Sequence, residues 1–335
     1  MSPESRGPPE RRPSAFGDAP GPVVHELDRP QAADPVTLSV VADPHLTASE
    51  RGTWKVFHRT EARLRAALDV ARGGDADRRS ADAVVFAGDQ TRDGLRTEFD
   101  RFDEFLAGLD GPWAAVPGNH DVPKSFDDHG GLPVEAFRRR YVGGAEAVVS
   151  EGDAADAYPV VLRAGELRVV CLNSAAPPDV DLRGTWAGAV GPAQRERLRE
   201  TLAAAPDDPT LVVCHHNLGA LPEHESAYPW NRFPADDAPA VRDVLCEADV
   251  PLAVTGHHHV PAVRDHGTLT ELMAPAVCSY PQAMLSLRVG PGGTTVRFVP
   301  LAGPAGIREA YWCATRGDEI GRGVLDMTTE RLDRL

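Results

Sequence analysis

The sequence predicts an α/β fold in which helices cover two β-sheets, and two observations support this prediction. Between residues 37 and 116, three short apolar runs alternate with two stretches of helical spacing, which is the β-α-β-α-β order of a sheet covered by helices. After residue 252, three or four strand-like segments follow one another with no helix between them. A β-rich end after β-α units indicates two sheets rather than a single doubly wound one.

The strands of the first half are predicted from short apolar runs rich in β-branched residues. These runs span residues 37–42, 83–87 and 113–116. Between them, apolar residues recur at three- and four-residue spacing over 54–72 and 99–109. That spacing places them on one face of a helix, so a helix is predicted in each interval.

The second half resumes the pattern after a stretch with little periodicity, in which one short helix is predicted over residues 133–141. Ala164-Gly165-Glu166 separates two apolar runs and predicts a hairpin. Gly191-Pro192 opens a helix, because proline suits the first helical turn. The predicted elements are the hairpin strands 158–162 and 167–172, the helices 192–205 and 239–248, and the strands 211–214, 252–255, 261–264, 268–272, 284–289 and 294–300.

One large domain is expected, with a segment at each end. Residues 1–31 are rich in Pro, Arg, Glu and Ser and lack the apolar stretch of a signal peptide, so they predict a disordered leader. The domain is expected over residues 32–302, with 122–156 and 217–238 as insertions or loops over the site. Residues 303–335 show no strong period and form a C-terminal extension without an assigned role.

The charge balance disfavours one class of function. The chain has 35 Lys and Arg against 50 Asp and Glu, a net charge of −15, which disfavours a protein that coats DNA without sequence preference. Lys55 and Lys124 are the only lysines, and arginine supplies the other 33 residues of that basic total (35 − 2). The Asp-rich, Lys-poor composition fits a surface that stays hydrated in high salt, and it fits GC-rich codon bias equally well.

The cysteines predict the compartment. They are five in number and scattered, with no C-x-x-C pair. Cys171 and Cys214 fall inside predicted strands, where a thiol behaves as a small hydrophobe. This pattern predicts a reducing, cytoplasmic location and no disulfide framework. No apolar stretch approaches the roughly 20 residues of a membrane-spanning helix, so no membrane partner is expected.

Five clusters of polar residues follow apolar runs, at the predicted carboxyl ends of strands. Loops at the carboxyl ends of strands converge on one crevice, so these clusters predict a single polynuclear metal site. Their mixture of carboxylate, imidazole and amide suits Mn, Fe, Zn, Co or Ni better than Ca or a structural zinc site. Taken singly, each cluster has a plainer interpretation as a turn or a strand cap. The clusters are Asp43-Pro44-His45, Gly88-Asp89, Asn119-His120-Asp121, His215-His216 and His257-His258-His259.

In order and spacing, these clusters resemble the motifs of the calcineurin-like metallophosphoesterase superfamily over residues 36–300. The second motif departs from the family pattern, which often has Asn or Asp a few residues after Gly-Asp; here Asp93 stands near that place. The resemblance implies the metallo-dependent phosphatase fold, a four-layer αββα sandwich of two mixed sheets flanked by helices.

The resemblance also implies two divalent transition-metal ions and a role for each ligand. Asp43, His45 and His259 would hold the first ion. Asn119, His215 and His257 would hold the second, and Asp89 would bridge the two. His216 competes with His215 for one ligand role, and the family pattern favours His215. His258 is expected to point elsewhere.

The expected chemistry is hydrolysis of a phosphoester by attack of a metal-bridging hydroxide. Residues adjacent in a tight turn point apart, so His120 is not expected to be a ligand if Asn119 is one. His120 is instead the candidate proton donor to the leaving oxygen, with Asp121 expected to orient it and keep it protonated.

The substrate class is the least constrained prediction. Residues 182–198, with Gly184, Trp186, Gly191 and Gln194, resemble the cyclic-nucleotide and glycerophosphodiester phosphodiesterase branch, which favours small phosphodiesters. The main alternative is a phosphomonoesterase or nucleotide phosphatase. A nuclease is disfavoured, because the longest basic cluster is only residues 138–140.

Two further questions concern other residues of the site. A non-catalytic binding module on this fold would be expected to have lost a ligand, whereas this chain retains every one.

Three more residues are candidates for the substrate pocket: Asn173, Ser174 and His224. His58, His129 and His266 are expected to be surface or packing residues.

Overall fold

The computed structural model describes residues 21–47, 51–73, 80–123, 131–141, 158–221 and 228–333. These residues form twelve strands and seven α-helices in chain order. The strands are β1 (Val23–Leu27), β2 (Val36–Val41), β3 (Ala83–Phe86), β4 (Trp113–Ala115), β5 (Val160–Ala164), β6 (Leu167–Cys171), β7 (Thr210–Val213), β8 (Leu252–Thr255), β9 (Ala262–Asp265), β10 (Thr270–Met273), β11 (Ala283–Gly290) and β12 (Gly293–Pro300). The helices are α1 (Phe57–Ala71), α2 (Arg96–Leu106), α3 (Val134–Tyr141), α4 (Pro192–Ala203), α5 (Ala238–Glu247), α6 (Pro304–Thr315) and α7 (Glu319–Leu332).

The strands make two mixed sheets of six strands each. The first sheet has the order β1-β12-β11-β2-β3-β4, in which β2, β3 and β4 are parallel and the remaining pairs are antiparallel. The second has the order β5-β6-β7-β8-β10-β9, in which β6, β7, β8 and β10 are parallel and each edge strand is antiparallel. The parallel strands form one block in each sheet, so their carboxyl ends lie together.

The core lies between the two sheets and on their outer faces. Successive side chains of a strand point to opposite faces. In β3, Val85 therefore packs into the cluster shared by both sheets, while Val84 and Phe86 pack against α1, α2 and α3. On the other side, α4 and α5 cover the second sheet. The predicted four-layer αββα sandwich is confirmed, and burial of both faces explains the unbroken apolar runs of the parallel strands.

The predicted extent of the N-terminal leader was wrong. Residues 23–27, assigned to that leader, form β1 and pair antiparallel with β12. As an edge strand, β1 keeps its side chains exposed or half-buried, so its sequence lacks the apolar run of a core strand. Residues 1–20 lie outside the described residues, as do 142–157 within the first predicted insertion and 222–227 within the second.

The C-terminal extension has a structural role that its sequence did not reveal. Helices α6 and α7 pack against each other and cover Trp54 and Trp230. A Cβ atom on Gly321 of α7 would lie 2.3 Å from Cγ of Trp54, and one on Gly323 would lie 2.3 Å from Cζ2 of Trp230. Glycine costs about 1 kcal/mol relative to alanine in a helix. The close packing explains why glycine occupies both positions. No helix within the described ranges is long and apolar enough to cross a membrane.

Candidate metal centre

The five polar clusters lie together at the carboxyl ends of β2, β3, β4, β7 and β8. Three of these strands belong to the first sheet and two to the second. Backbone hydrogen bonds join neighbouring loops: the His45 amide donates to the Asp89 carbonyl at 2.9 Å, and the Gly256 amide to the His215 carbonyl at 3.0 Å. The two sheets are linked directly, because the His257 amide donates to the Asp43 carboxylate at 3.1 Å. The site therefore spans the join between the two sheets.

Two glycines let these loops approach one another. A Cβ atom on Gly118 would lie 2.1 Å from Oδ1 of Asp89, and one on Gly88 would lie 2.2 Å from Nδ1 of His215. Real side chains do not tolerate such distances. The glycine that precedes Asp89 and the glycine that precedes Asn119 thus each make room for a residue of another cluster.

The backbone of the site is strained. Five of the predicted ligands have φ between 45° and 65°, in the left-handed region that non-glycine residues seldom adopt. Such conformations cost about 1–3 kcal/mol each and persist where the surrounding structure imposes them, often at functional sites. The five residues are Asp43, His45, Asp89, His257 and His259.

Asp43, His45 and His259 form a compact first group. The Nε2 atoms of His45 and His259 lie 3.3 Å apart. Oδ1 of Asp43 lies 3.3 Å from Nε2 of His259 and 4.0 Å from Nε2 of His45. Three donor atoms from two loops thus point at one small volume, and all three side chains are almost fully buried.

Asn119, His215 and His257 form a second group of the same kind. Nε2 of His215 lies 3.1 Å from Oδ1 of Asn119 and 3.2 Å from Nδ1 of His257. The opposite nitrogen of His215 faces the Ala87 carbonyl at 2.9 Å. Donation of Nδ1–H to that carbonyl leaves the Nε2 lone pair directed into the group.

Asp89 lies between the two groups. Its Oδ2 atom is 3.3 Å from Nε2 of His45 and 3.4 Å from Nε2 of His215. The same oxygen therefore meets a histidine of each group. Its Oδ1 atom accepts the His120 amide at 2.9 Å, which fixes the carboxylate in this orientation.

Apart from that of His215, the protonation states of these residues suit a cation. Burial lowers the pKa of His45, His257 and His259, which favours the neutral imidazoles that bind metals. Burial opposes ionisation of Asp89, but the adjacent histidines outweigh it and hold the pKa of that carboxyl well below its usual range. Burial lowers the pKa of His215, but Asp89 and Asp43 together raise it to about 9. The buried pair of Asp89 and His215 is thus itself stabilised by opposite charge.

The donor set fits divalent transition metals. In the pairs His45–His259 and His215–His257, two imidazole nitrogens face each other at 3.2–3.3 Å. At most one proton fits between two such nitrogens, whereas a cation there would be coordinated by the lone pairs of both. Among the described residues, three groups of side chains are each close enough to hold an ion: His45 with His259 and Cys278, His45 with Asp89 and His120, and Asp89 with His215 and His257. The number and identity of the ions belong to the proposal below.

His120 is half-buried beside the first group. Its ring meets the His45 ring edge-on, with centroids 4.7 Å apart. Burial lowers its pKa, although the Asp89 charge partly offsets this. Its Nδ1 faces the carbonyl of Arg92, which fixes the orientation of the ring.

The contacts of Asp121 correct its predicted role. The prediction paired its carboxylate with the His120 imidazole, whose Nδ1 faces the Arg92 carbonyl instead. The carboxylate accepts the amides of Gln90, Thr91 and Gly118 at 2.9–3.2 Å, together with the Thr91 hydroxyl. Burial and the charge of Asp89 raise the pKa of Asp121 to about 7. Asp121 instead joins the loops after β3 and β4.

The adjacent histidines point in different directions. His216 shares a hydrogen bond of 2.9 Å with the Ser174 hydroxyl, whereas His215 points into the second group. His258 stacks on Trp230 at a centroid distance of 5.3 Å, away from its two neighbours. Asp93, expected near a family position, directs a half-exposed carboxylate towards Arg92.

The remaining candidates have structural partners or lie outside the described residues. Asn173 accepts the amides of Ala175 and Ala176 and so shapes its own turn. The residues expected to serve packing or the surface do so where described: His58 pairs with Glu309 and His266 with Glu271. His129 and His224 lie in ranges that the structure does not describe.

Sequence reasoning missed Lys55. Its Nζ atom lies 3.1 Å from Nε2 of His45, inside the first group. Lys55 follows no strand, so it is not among the polar residues that the strand ends predict to be in the site. The available signal was compositional, because lysine is so rare in this chain.

Comparisons with known proteins agree with this geometry. The model of the calcineurin-like phosphoesterase family matches residues 36–261. A protein from Synechococcus sp. named as a probable cyclic nucleotide phosphodiesterase is 25% identical over 278 residues, which cover 78% of this chain and 92% of that protein. A protein of the same description from Pseudoalteromonas sp. is 26% identical over 182 residues, 54% of this chain and 56% of that one.

A solved structure shows the same fold. A purple acid phosphatase from yellow lupin (Lupinus luteus) seeds superposes with a TM-score of 0.52 at 13% identity, over 82% of this chain and 52% of the lupin chain. The described chain therefore spans about half the length of the lupin protein.

The match over residues 36–261 places the chain in the calcineurin-like phosphoesterase family. Members of this family are metal-dependent, and the protein is a hydrolase that acts on phosphoric esters. The clustered histidines and aspartates are the residues available to bind metal.

Proposed function

We propose that this protein is a binuclear metal-dependent phosphodiesterase that hydrolyses small-molecule phosphodiesters. The observation that carries the proposal is the position of Asp89, whose Oδ2 lies 3.3 Å from His45 and 3.4 Å from His215. A carboxylate shared by two groups of donors is the arrangement that two neighbouring cations require. A single ion would leave one group unused.

Each group would hold one ion, and Asp89 would contact both. Asp43, His45 and His259 supply one carboxylate and two imidazoles to the first ion. Asn119, His215 and His257 supply one amide and two imidazoles to the second. When bound, two such ions supply the charge that activates a water molecule and neutralises phosphoryl oxygens. Mn, Fe, Zn, Co and Ni all suit this donor set.

His120 is assigned to the leaving group. Its ring meets the His45 ring of the first group edge-on and its Nδ1 contacts the Arg92 carbonyl, so Nε2 is the nitrogen assigned to deliver a proton to the departing alkoxide. Its backbone amide holds Asp89 in place, so metal binding and proton transfer meet in one turn. Asp121 supports this turn through the loop after β3 rather than through the imidazole.

Two observations support a diester substrate. Two relatives of this chain are named as probable cyclic nucleotide phosphodiesterases. The segment 182–198 also approaches the second group: a Cβ atom on Gly188 would lie 2.2 Å from Cγ of His216, and the ring centroid of His216 lies 4.5 Å from that of His257. In this segment, Trp186 is 47% exposed and is available to stack on a base.

A substrate panel tests the proposal. The chain would be assayed with Mn²⁺ on a bis-aryl phosphodiester, an aryl phosphomonoester, cyclic AMP and a glycerophosphodiester, with a chelator control. We expect hydrolysis of the diesters that the chelator abolishes. Preference for the monoester would support the alternative, a phosphomonoesterase or nucleotide phosphatase of this fold. Metal binding without any hydrolysis would favour a non-catalytic binding module.

We also propose a cytoplasmic location. All five cysteines are free thiols, and Cys171, Cys214 and Cys278 are buried. Such thiols are typical of a reducing compartment. Detection of the native protein in a membrane or secreted fraction would contradict this location.

A further inference from the structure

Lys55 places a cation inside the proposed metal centre. Its Nζ atom lies 3.1 Å from Nε2 of His45, the nitrogen that also faces Asp89 and His259. Lys55 is one of two lysines in a chain that otherwise relies on arginine. An ammonium is a compact point charge, whereas a guanidinium is a broad planar fork. The small volume beside His45 suits the former.

The backbone of Lys55 is fixed by the loop that supports Asp43. Lys55 makes an antiparallel bridge with Ser279, and the amide of the next residue, Val56, donates to the Cys278 carbonyl at 2.6 Å. The Cys278 amide in turn donates to the Asp43 carbonyl at 3.2 Å. The position of Lys55 is therefore coupled to the first group through two hydrogen bonds.

The side chain of Lys55 is held as well. Its Nζ lies 5.4 Å from the centroid of the Trp54 ring, a cation–π distance. The Trp54 ring also packs on His259, with centroids 5.4 Å apart, and α7 packs against it at Gly321. Because Trp54 is buried against a helix, Lys55 is directed to the site by a rigid support.

Lys55 forms no ion pair with a carboxylate among the described residues, which distinguishes it from nearby basic side chains. Arg59, in the first turn of α1, pairs with Glu309 at 2.9 Å, and Arg101 of α2 pairs with Glu61 at 2.6 Å. The recorded polar contact of Nζ is with the His45 lone pair. That lone pair is also the one assigned to a metal, and one lone pair cannot serve both. The ammonium then needs an anionic partner at the same place.

We propose that Lys55 binds a non-bridging oxygen of the substrate phosphoryl group on the side of the site formed by Asp43, His45 and His259. This inference rests on the proposed function and adds a substrate contact to it. The contact is a charge-assisted hydrogen bond from the ammonium to an anionic oxygen, which is shorter and stronger than a neutral one. No covalent step is involved. Lys55 would position the phosphoryl group and balance part of its charge.

The direct test is binding of inorganic phosphate to the Mn-loaded protein, measured by isothermal titration calorimetry. Lys55→Met removes the charge and keeps the apolar stem, Lys55→Arg keeps the charge, and Arg59→Met is the matched control for the loss of one exposed cation. We expect Lys55→Met to weaken phosphate binding by about 10- to 100-fold, the range of a charge-assisted hydrogen bond. Lys55→Arg keeps the charge but has a wider head, so it should recover only part of that loss, and Arg59→Met should bind as the parent protein does.

Metal content, measured on the same samples, separates a phosphate contact from a metal-centre defect. Unchanged manganese with weakened phosphate binding supports the proposal. Unchanged phosphate affinity in Lys55→Met overturns it, and so does loss of manganese. If the parent protein hydrolyses no phosphoester but the difference in phosphate affinity persists, the proposed function fails and the assignment of Lys55 stands.

Discussion

The two groups of the candidate metal centre have similar geometry and different chemistry. The first group contains a carboxylate of its own, Asp43, and has Lys55 beside it. The second group contains no carboxylate of its own, and the carboxylate that meets its histidine His215 is the shared Asp89. Because a carboxylate adds charge attraction to coordination, the first group is expected to hold its ion more firmly.

The aromatic and polar neighbours of the two groups also differ. On the first side, the His259 ring packs on Trp54 and its Nδ1 contacts the Ser279 hydroxyl at 3.0 Å. On the second side, the His257 ring lies between Phe233 and His216, at centroid distances of 5.1 and 4.5 Å. We infer that charged side chains distinguish the first group and aromatic packing distinguishes the second, with Asp89 joining them.

Removal of the shared carboxylate should have the largest effect. Asp89→Ala is expected to abolish turnover and to lower metal occupancy in both groups, because the same oxygen meets a histidine of each. Metal content and activity of the purified variant measure this. Asp93→Ala is the control, since that half-exposed carboxylate faces Arg92 instead. Full activity in Asp89→Ala would rule out the bridging assignment.

The two groups should respond differently to loss of one ligand. His257→Ala is expected to leave about one manganese equivalent, because it affects the second group alone. Asp43→Ala should lower both occupancies, since its carboxylate also accepts the His257 amide. Titration of each variant with a chelator, followed by metal analysis, measures the difference. Equal losses in both variants would contradict the asymmetry between the groups.

Removal of the assigned proton donor should affect chemistry without affecting metal. His120→Ala is expected to keep both ions and lose about 10²- to 10⁴-fold in turnover, the usual contribution of general acid catalysis. The loss should be smallest for aryl esters, whose leaving groups need no proton. His58→Ala, at a surface ion pair, should be unaffected. Equal losses for good and poor leaving groups would argue against proton donation.

The smallest effect is expected from the support of the first group. Gly321→Ala places a methyl group 2.3 Å from the Trp54 ring and should cost about 1–3 kcal/mol of unfolding free energy by overpacking, partly offset by better helix propensity. Chemical denaturation measures the cost. Gly303→Ala is the control, because nothing lies within 4 Å of its Cβ position. A more stable Gly321→Ala protein would show that α7 does not constrain Trp54.

The elements that place the ligands could be predicted from local sequence pattern. Buried parallel strands have unbroken apolar runs, so the carboxyl ends of β2, β3, β4, β7 and β8 could be predicted. The polar residues that follow these ends predicted the position of the site. The order of the motifs then identified the family.

Other features depend on contacts that local pattern does not encode. β1 is a half-exposed edge strand whose partner is about 270 residues away in the sequence, as the pairing of Glu26 with Thr295 shows. Asp121 was assigned to its neighbour His120, whereas its partners Gln90 and Thr91 lie 30 or more residues earlier. The glycines of α7 weaken its apparent period, although they are the reason it fits against the tryptophans.

In the proposed binuclear centre, one ion lies on each side of Asp89. Crystals grown with Mn²⁺ and measured at a wavelength where manganese scatters anomalously would locate the ions directly. We expect two anomalous peaks about 3.5–4 Å apart, one beside His45 and His259 and the other beside His215 and His257, with Asp89 between them. A single peak at saturating Mn²⁺, or peaks away from Asp89, would contradict the binuclear assignment.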